Sequence, residues 1–370
     1  MRIQACEACL RRTWLLARLG GYLDHVRQPI ETVLALDDDA LVALWAGVAA
    51  RRASAERPQQ EYARFGPGAA AAARQRATAV GLELICRCEP AYPATLRALA
   101  GGPAVLHVAG GYRRLAELLA DGSVAIVGTR RPTGYGSEVA LGLSRELSAS
   151  GMTILSGMAV GIDSQAHRGA ILASGRTIAV LPGDAGQPYP RSNRALYRQI
   201  LREGVAVGEL GVGVAVRRWS LLARNRLVAA LADLTVVVQG ASRSGSLKTA
   251  GLAVAYGRPV GAVPGSVLVR QSEGPHGLLR GGALLIRSAQ DALDAVCGVG
   301  VRHAREPAAA VLGPEQRALL EAIRAGAETP AEIAQLEELA DAGSALAALS
   351  ELELIGCIRR VAGGRYVATV

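Results

Sequence analysis

Two cysteine pairs and a set of turns rich in glycine, serine and arginine hold the residues of this chain whose types and spacing can do chemistry. Cys6 and Cys9 stand as Cys-x-x-Cys, which puts two thiols on one turn, and Cys86 and Cys88 as the tighter Cys-x-Cys. If the fold returns the second pair to the first, the four can close a tetrahedral structural zinc site. The competing reading is four unrelated buried thiols. Cys297 and Cys357 stand alone among apolar residues and read as ordinary buried thiols.

The other candidates are places where a backbone turn could cradle an anion. Gly128, Thr129 and Arg130 follow the strand-like run Val124–Val127 and precede a helical stretch. Glycine lets the backbone approach a phosphate, the helix start offers free N–H groups, and Arg130 adds a fork of donors. A plain strand-to-helix turn with solvated arginines is the bland alternative. Gly157 lies in a second such turn, Ser156 to Asp163, where Asp163 reads as a helix cap sharing a face with His167. Arg224, Asn225 and Arg226 open an apolar helix, so that at least one arginine can face an anion from its start. Ser244, Gly245, Ser246 and Lys248 form a hydroxyl-rich strand-to-helix turn. Lys248 is the single lysine in a chain that otherwise uses arginine. Pro182 to Pro190 reads as a rigid loop in which Tyr189 either stacks on a base or edges the core.

Several enzyme classes fit poorly. Gly128, Gly134 and Gly136 lack the spacing of a dinucleotide fingerprint, and no acidic residue follows Leu155-Ser156-Gly157 to hold a ribose. Gly240 and Gly245 have P-loop spacing, yet Ser246-Leu247 separate Lys248 from the second glycine. Asp163 and His167 have no partnered Ser or Cys nucleophile. NAD binding, ATP hydrolysis and an Asp/His reaction are therefore disfavoured.

These turns need a scaffold. Short apolar runs from Val124 to Ala262 alternate with amphipathic stretches, the pattern of a parallel sheet covered on both faces, with ligands at the carboxyl ends of its strands. Residues 11–49 read as short helices, with Asp37 capping one of them. The end of the chain reads as three helices and a hairpin turning at Gly363-Gly364, the order of a winged helix. The net charge of +9 favours a polyanionic partner. No run is long enough to span a bilayer and Met1–Leu10 carries no signal segment, so a cytoplasmic protein without a membrane partner is expected.

Taken together the turns resemble those of the DprA/Smf family. The matching words are Ala-Ile-Val-Gly-Thr-Arg at 125–130, Ser-Gly-Met-Ala-Val-Gly-Ile-Asp at 156–163, Tyr-Pro at 189–190, Arg-Asn-Arg at 224–226, Ser-Gly-Ser at 244–246 and Val-Pro-Gly at 263–265. The resemblance implies an α/β protein with an N-terminal sterile-alpha-motif-like helical region (1–90), an extended Rossmann-like domain (91–298), a linker (299–312) and a winged-helix domain (313–370). It implies a homodimer that binds single-stranded DNA and loads a RecA-type recombinase during transformation or recombination, without catalysis and with no cofactor beyond the zinc considered above. Arg130, Arg224, Arg226 and Lys248 would contact the strand, with Gly157, Ser244, Gly245 and Ser246 supplying donors. Two departures stand out: Ser220-Leu221-Leu222-Ala223 replaces an aromatic-Pro pair, and Gly274-Pro275-His276 replaces a Gly-Asn pattern. The runner-up is a nucleotide-processing hydrolase of the phosphoribohydrolase type, for which Pro182-Gly183-Asp184 supplies only the start of the required loop.

Overall fold

Along β3 (Ser123–Val127), Val124 and Ile126 face one apolar layer while Ala125 and Val127 face the other. That division, imposed by the two-residue period of a strand, recurs across the whole sheet and makes it the middle of three layers. The computed structural model describes residues 4–51, 57–173, 175–305, 314–333, 342–354, 357–361 and 363–368. Besides β3, the sheet contains β1 (Leu82–Cys86), β2 (Val105–Ala109), β4 (Thr153–Ser156), β5 (Thr177–Asp184), β6 (Val205–Leu210), β7 (Leu234–Val237), β8 (Val260–Ala262) and β9 (Leu284–Leu285). Their spatial order is β1-β2-β6-β5-β4-β3-β7-β8-β9. The pairs β1/β2 and β2/β6 are antiparallel, and all others are parallel. The chain moves outward from β3 through β4, β5 and β6, then crosses back to place β7 on the other side of β3. This reversal opens a crevice at the carboxyl ends of β3 and β7, where a doubly wound sheet takes its ligands.

Helices Gly134–Ala149, Ile162–Ala173 and Ala289–Cys297 cover one face through Leu143, Leu147, Ala166, Ala170 and Leu293. Helices Tyr112–Ala120, Arg218–Leu231 and Gly245–Ala255 contribute to the other through Leu115, Leu227 and Ala250. The mostly parallel, two-sided sheet is the Rossmann-like architecture expected.

The boundary expected at residue 90 is displaced, because β1 begins at Leu82 and belongs to the sheet. Nor do the N-terminal helices stand apart. Leu15, Leu16, Leu19, Leu41 and Trp45 form one buried cluster with Trp219 and Ala223 of helix Arg218–Leu231. The Asp24 carboxylate accepts the Trp219 backbone N–H at 3.0 Å, capping that helix from a distant part of the chain. As expected, Asp37 caps the helix that follows it, accepting from Ala40 N–H at 2.8 Å.

The first half of the expected linker is pinned to the sheet domain: Arg305 N–H donates to Ser150 Oγ at 2.8 Å, and Arg302 donates to the Asp121 carbonyl at 3.1 Å. Beyond it come helices Pro314–Arg324, Pro330–Ile333 and Ala342–Leu354 and an antiparallel ribbon, Ile358–Arg360 with Tyr366–Ala368. They share a small core of Leu319, Ile323, Leu349, Leu352, Ile358 and Tyr366. The remainder of the expected linker, 306–312, lies outside the described residues. No described helix is long and apolar enough to cross a membrane.

Candidate functional site

A cleft of about 320 Å³ sits at the crevice, and its wall gathers most of the anion-cradling turns: Gly128, Thr129, Arg130, Gly157, Arg224, Asn225, Ser244, Gly245 and Ser246. Strands β3, β4 and β7 deliver these turns to one place because parallel neighbours end on the same side. Between the turns the ties are backbone-directed. Thr129 N–H donates to the Gln239 carbonyl at 2.7 Å, and Gln239 Oε1 accepts from Thr133 N–H at 3.0 Å. The Ser244 hydroxyl caps helix Gly245–Ala255 and lies 2.8 Å from Ser246 Oγ.

Gly157 and Arg224 form the centre. A methyl group on Gly157 would lie 1.5 Å from an Arg224 guanidinium nitrogen, so only glycine lets the guanidinium lie against this turn. Arg224 donates to the Val180 carbonyl at 2.8 Å, which fixes the fork in place. Asp163 accepts from Gly157 N–H at 3.1 Å and from Ala159 N–H at 3.4 Å. It thus braces the preceding turn rather than capping its own helix. Burial pushes the Asp163 carboxyl up from its ordinary value, opposed by the charge of Arg224, and burial pushes Arg224 down, opposed by Asp163.

Two expectations about the Arg-Asn-Arg word are corrected. The helix starts at Arg218, so the word lies inside it and Arg224 reaches the cleft from mid-helix. The two arginines also diverge. Arg226 is fully buried and ion-paired with Glu209 of β6, and it does not line the cleft. Arg224 and Arg226 are two positions apart on a helix, which turns them to different sides.

Lys248 is exposed on helix Gly245–Ala255 and lines an adjoining groove with Arg27, Arg218, Leu222 and Asn225. Leu222 and Asn225 also line the cleft, so the two are continuous. On the opposite side Thr129 and Ser244 join the cleft to a third hollow bearing Arg243 and Arg270. Arg27, Arg218, Arg243 and Arg270 escaped the sequence reading because nothing local distinguishes them from other solvated arginines. Gln239, by contrast, had a signal: a polar residue ending the apolar run from Leu234.

The expected Pro182–Pro190 loop begins later, since β5 continues through Asp184, whose carboxylate accepts from Gly186 and Gly213 N–H at 2.8 and 3.1 Å. His276 lies 3.0 Å from the Gly265 carbonyl, to which its Nε2–H donates. None of the cysteines lines the cleft. The sulfurs of Cys6, Cys9, Cys86 and Cys88 lie within 4.8 Å of one another. Cys297 and Cys357 are only half-buried.

The sequence profile of the family described as DNA recombination-mediator protein A matches residues 83–297, more than half of the chain. This protein belongs to the DNA recombination-mediator protein A family. A Mycobacterium tuberculosis relative named as a DNA processing protein DprA is 42% identical over 251 residues, covering 66% of this chain and 64% of its own length. The chain thus spans somewhat less than two thirds of that relative. A Bacillus subtilis DNA processing protein DprA is 38% identical over 57% of this chain and 70% of its own. Among solved structures, Streptococcus pneumoniae DprA superposes with a TM-score of 0.60 at 25% identity, covering 79% of this chain and 98% of that one. Helicobacter pylori DprA, described for its single-stranded DNA binding mode, gives 0.53 at 32% identity over 58% of this chain and 95% of that one. The family match spans the turns of the cleft and stops before the C-terminal helices.

Two buried histidines in this family domain give it an acid sensitivity. The Nδ1 of His167 lies 2.7 Å from the Thr177 hydroxyl, which donates onward to the Ile154 carbonyl at 2.9 Å. The imidazole therefore donates to Thr177. Burial, reinforced by Arg224, pushes His167 down to about 3, and burial pushes His107 on β2 down to about 4. Both are neutral when folded and regain a value of 6.5 when unfolded. Their contribution is therefore complete above that value and is lost as pH falls toward the folded values. At about pH 5 the two together should cost about 4 kcal/mol. Urea midpoints at neutral pH and about pH 5 should record that loss, and His167→Gln should roughly halve it. A pH-independent midpoint would contradict the assignment.

Proposed function

We propose that the cleft and its two flanking hollows bind a single strand of DNA along its phosphates, and that the protein makes or breaks no covalent bond. The carrying observation is the continuity of the track: Arg243 and Arg270 at one end, Arg130 and Arg224 at the centre, Arg218, Arg27 and Lys248 at the other. A winding track of small hollows with the Arg130 and Arg224 guanidiniums at its centre suits one flexible strand better than a rigid duplex. Aromatic residues are only 4% of the chain, so phosphate contacts rather than base stacking supply the affinity. Family membership supports the same reading, and so does the likeness to a DprA described as binding single strands. We further propose that the protein works as a cytoplasmic homodimer that passes its strand to a RecA-type recombinase.

The C-terminal helices and ribbon fit a winged helix by their order. Helix Ala342–Leu354 carries Glu351 and Glu353 and no basic residue, which suits a protein contact better than a DNA groove. The hydrolase reading gains no support here, because Pro182-Gly183-Asp184 closes β5 instead of opening a glycine-rich loop, and the Asp184 carboxylate accepts backbone N–H groups from Gly186, just after β5, and Gly213, in the loop after β6.

Titration with single-stranded DNA, duplex and mononucleotides tests the proposal. Single strands should bind most tightly, with little base preference and a log–log salt slope of about −0.7 per phosphate contacted. Lys248→Ala should weaken all sequences alike and flatten that slope by about 0.7. Tighter duplex binding, or an affinity insensitive to salt, would overturn the reading.

A further inference from the structure

The structure assigns a tetrathiolate zinc centre to Cys6, Cys9, Cys86 and Cys88, which fastens the first helix of the chain to the first strand of the sheet. Cys6 is the N-cap of helix Glu7–Arg18 and Cys9 lies in its first turn, so both sulfurs project from the helix start. Cys86 ends β1 and Cys88 lies in the turn that follows. The Cys9 and Cys88 sulfurs are 3.7 Å apart, and those of Cys6 and Cys88 are 4.0 Å apart. Four sulfurs at about 2.3 Å from a tetrahedral zinc ion stand about 3.8 Å from each other. A disulfide would require about 2.0 Å, and all four cysteines are free.

Simple packing explains only half of this cluster. Cys9 and Cys86 are buried and belong to an apolar core, but Cys88 is exposed and Cys6 only half-buried. An exposed thiol gains nothing by crowding three others, whereas a metal at the surface of that core accounts for all four. Two further features favour thiolates. The Cys6 N–H points to Cys86 Sγ at 3.5 Å, the donor that a metal-bound sulfur accepts. The first pair also sits at a helix N-terminus, whose dipole favours negative charge. Binding releases four thiol protons and forms four Zn–S bonds, leaving a net charge of −2 on the centre. Nearby, Arg74 donates to the Ala5 carbonyl at 3.0 Å, holding the segment that leads into Cys6.

The centre closes a loop of about eighty residues, Cys6 to Cys86, that contains all the N-terminal helices packed on helix Arg218–Leu231. Its role is structural, since no position is left open to substrate.

Metal analysis of the full chain, purified without chelator, should give one zinc per chain. Cobalt replacement should give the intense visible bands of a tetrahedral tetrathiolate. The double variant Cys9→Ala/Cys88→Ala should lose the metal, while Cys297→Ser/Cys357→Ser should keep it. Should the first variant fail to fold, titrating the wild-type thiols with an organomercurial should release one zinc in step with the loss of four thiols. Zinc well below one equivalent with four free thiols, iron in its place, or a disulfide within the cluster would each overturn the proposal, as would zinc retained by the folded double variant. Because these readouts measure metal and thiols, they stand apart from the result of any DNA titration.

Discussion

Gly157→Ala is expected to weaken single-stranded DNA binding about 10- to 100-fold, with a stability cost of about 1–3 kcal/mol for the Val180 carbonyl and Asp163 carboxyl that lose their partner. The added methyl would lie 1.5 Å from Arg224, and the part displaced is the end of a flexible side chain, not backbone. The guanidinium therefore swings away from the crevice and is lost to the ligand as well. A charge-assisted hydrogen bond contributes about 1.5–3 kcal/mol, and each 1.4 kcal/mol is about tenfold in affinity. Arg224→Ala should cause a similar loss, and the double variant should bind no worse than Arg224→Ala alone, because both changes remove the same contact. Additive losses would separate Gly157 from Arg224 and relocate the centre of the site. Gly68→Ala, where a methyl meets open space, controls for the change itself.

Arg226→Ala should do the reverse: cost about 3–5 kcal/mol of stability and leave the DNA affinity of the folded fraction unchanged. Arg226 is completely inaccessible and pairs with Glu209, itself 7% exposed, so truncating the arginine strands a carboxylate in the core. An apolar replacement of both partners at similar volume, Arg226→Met with Glu209→Leu, should recover most of the loss. The urea midpoint at constant slope measures each change. Normal stability with lost binding would return Arg226 to the cleft.

These two arginines mark the limit of what was legible in the sequence. Strand-to-helix turns with glycine and hydroxyl residues announced the cleft, because an anion-binding turn must be built from neighbours in sequence. The parallel centre of the sheet, β3 to β8, was equally readable from its short apolar runs, while β1, β2 and β9 were not. Which arginine of a pair two residues apart faces the cleft depends on helix phase, and that phase was set by Trp219 and the residues around it, packed under the N-terminal helices. Alternation of apolar runs likewise did not reveal β1, since Leu82–Cys86 joins the sheet through antiparallel pairing with β2 rather than as part of a strand–helix–strand unit. Arg243, Arg270 and Arg27 reach the track from three separate segments, and only the fold collects them.

The Asp24 cap bears on where this protein can be cut. The family profile begins at residue 83, and a fragment designed on that boundary would look like a complete binding domain. It would lack the carboxylate that receives the Trp219 N–H, and Trp219 and Leu210 would face water in place of Leu15, Leu16 and Trp45. A fragment that keeps the N-terminal helices is therefore expected to be more stable than one that begins at the sheet. The border of the family profile, drawn where sequences match, runs through a packed interface rather than around it.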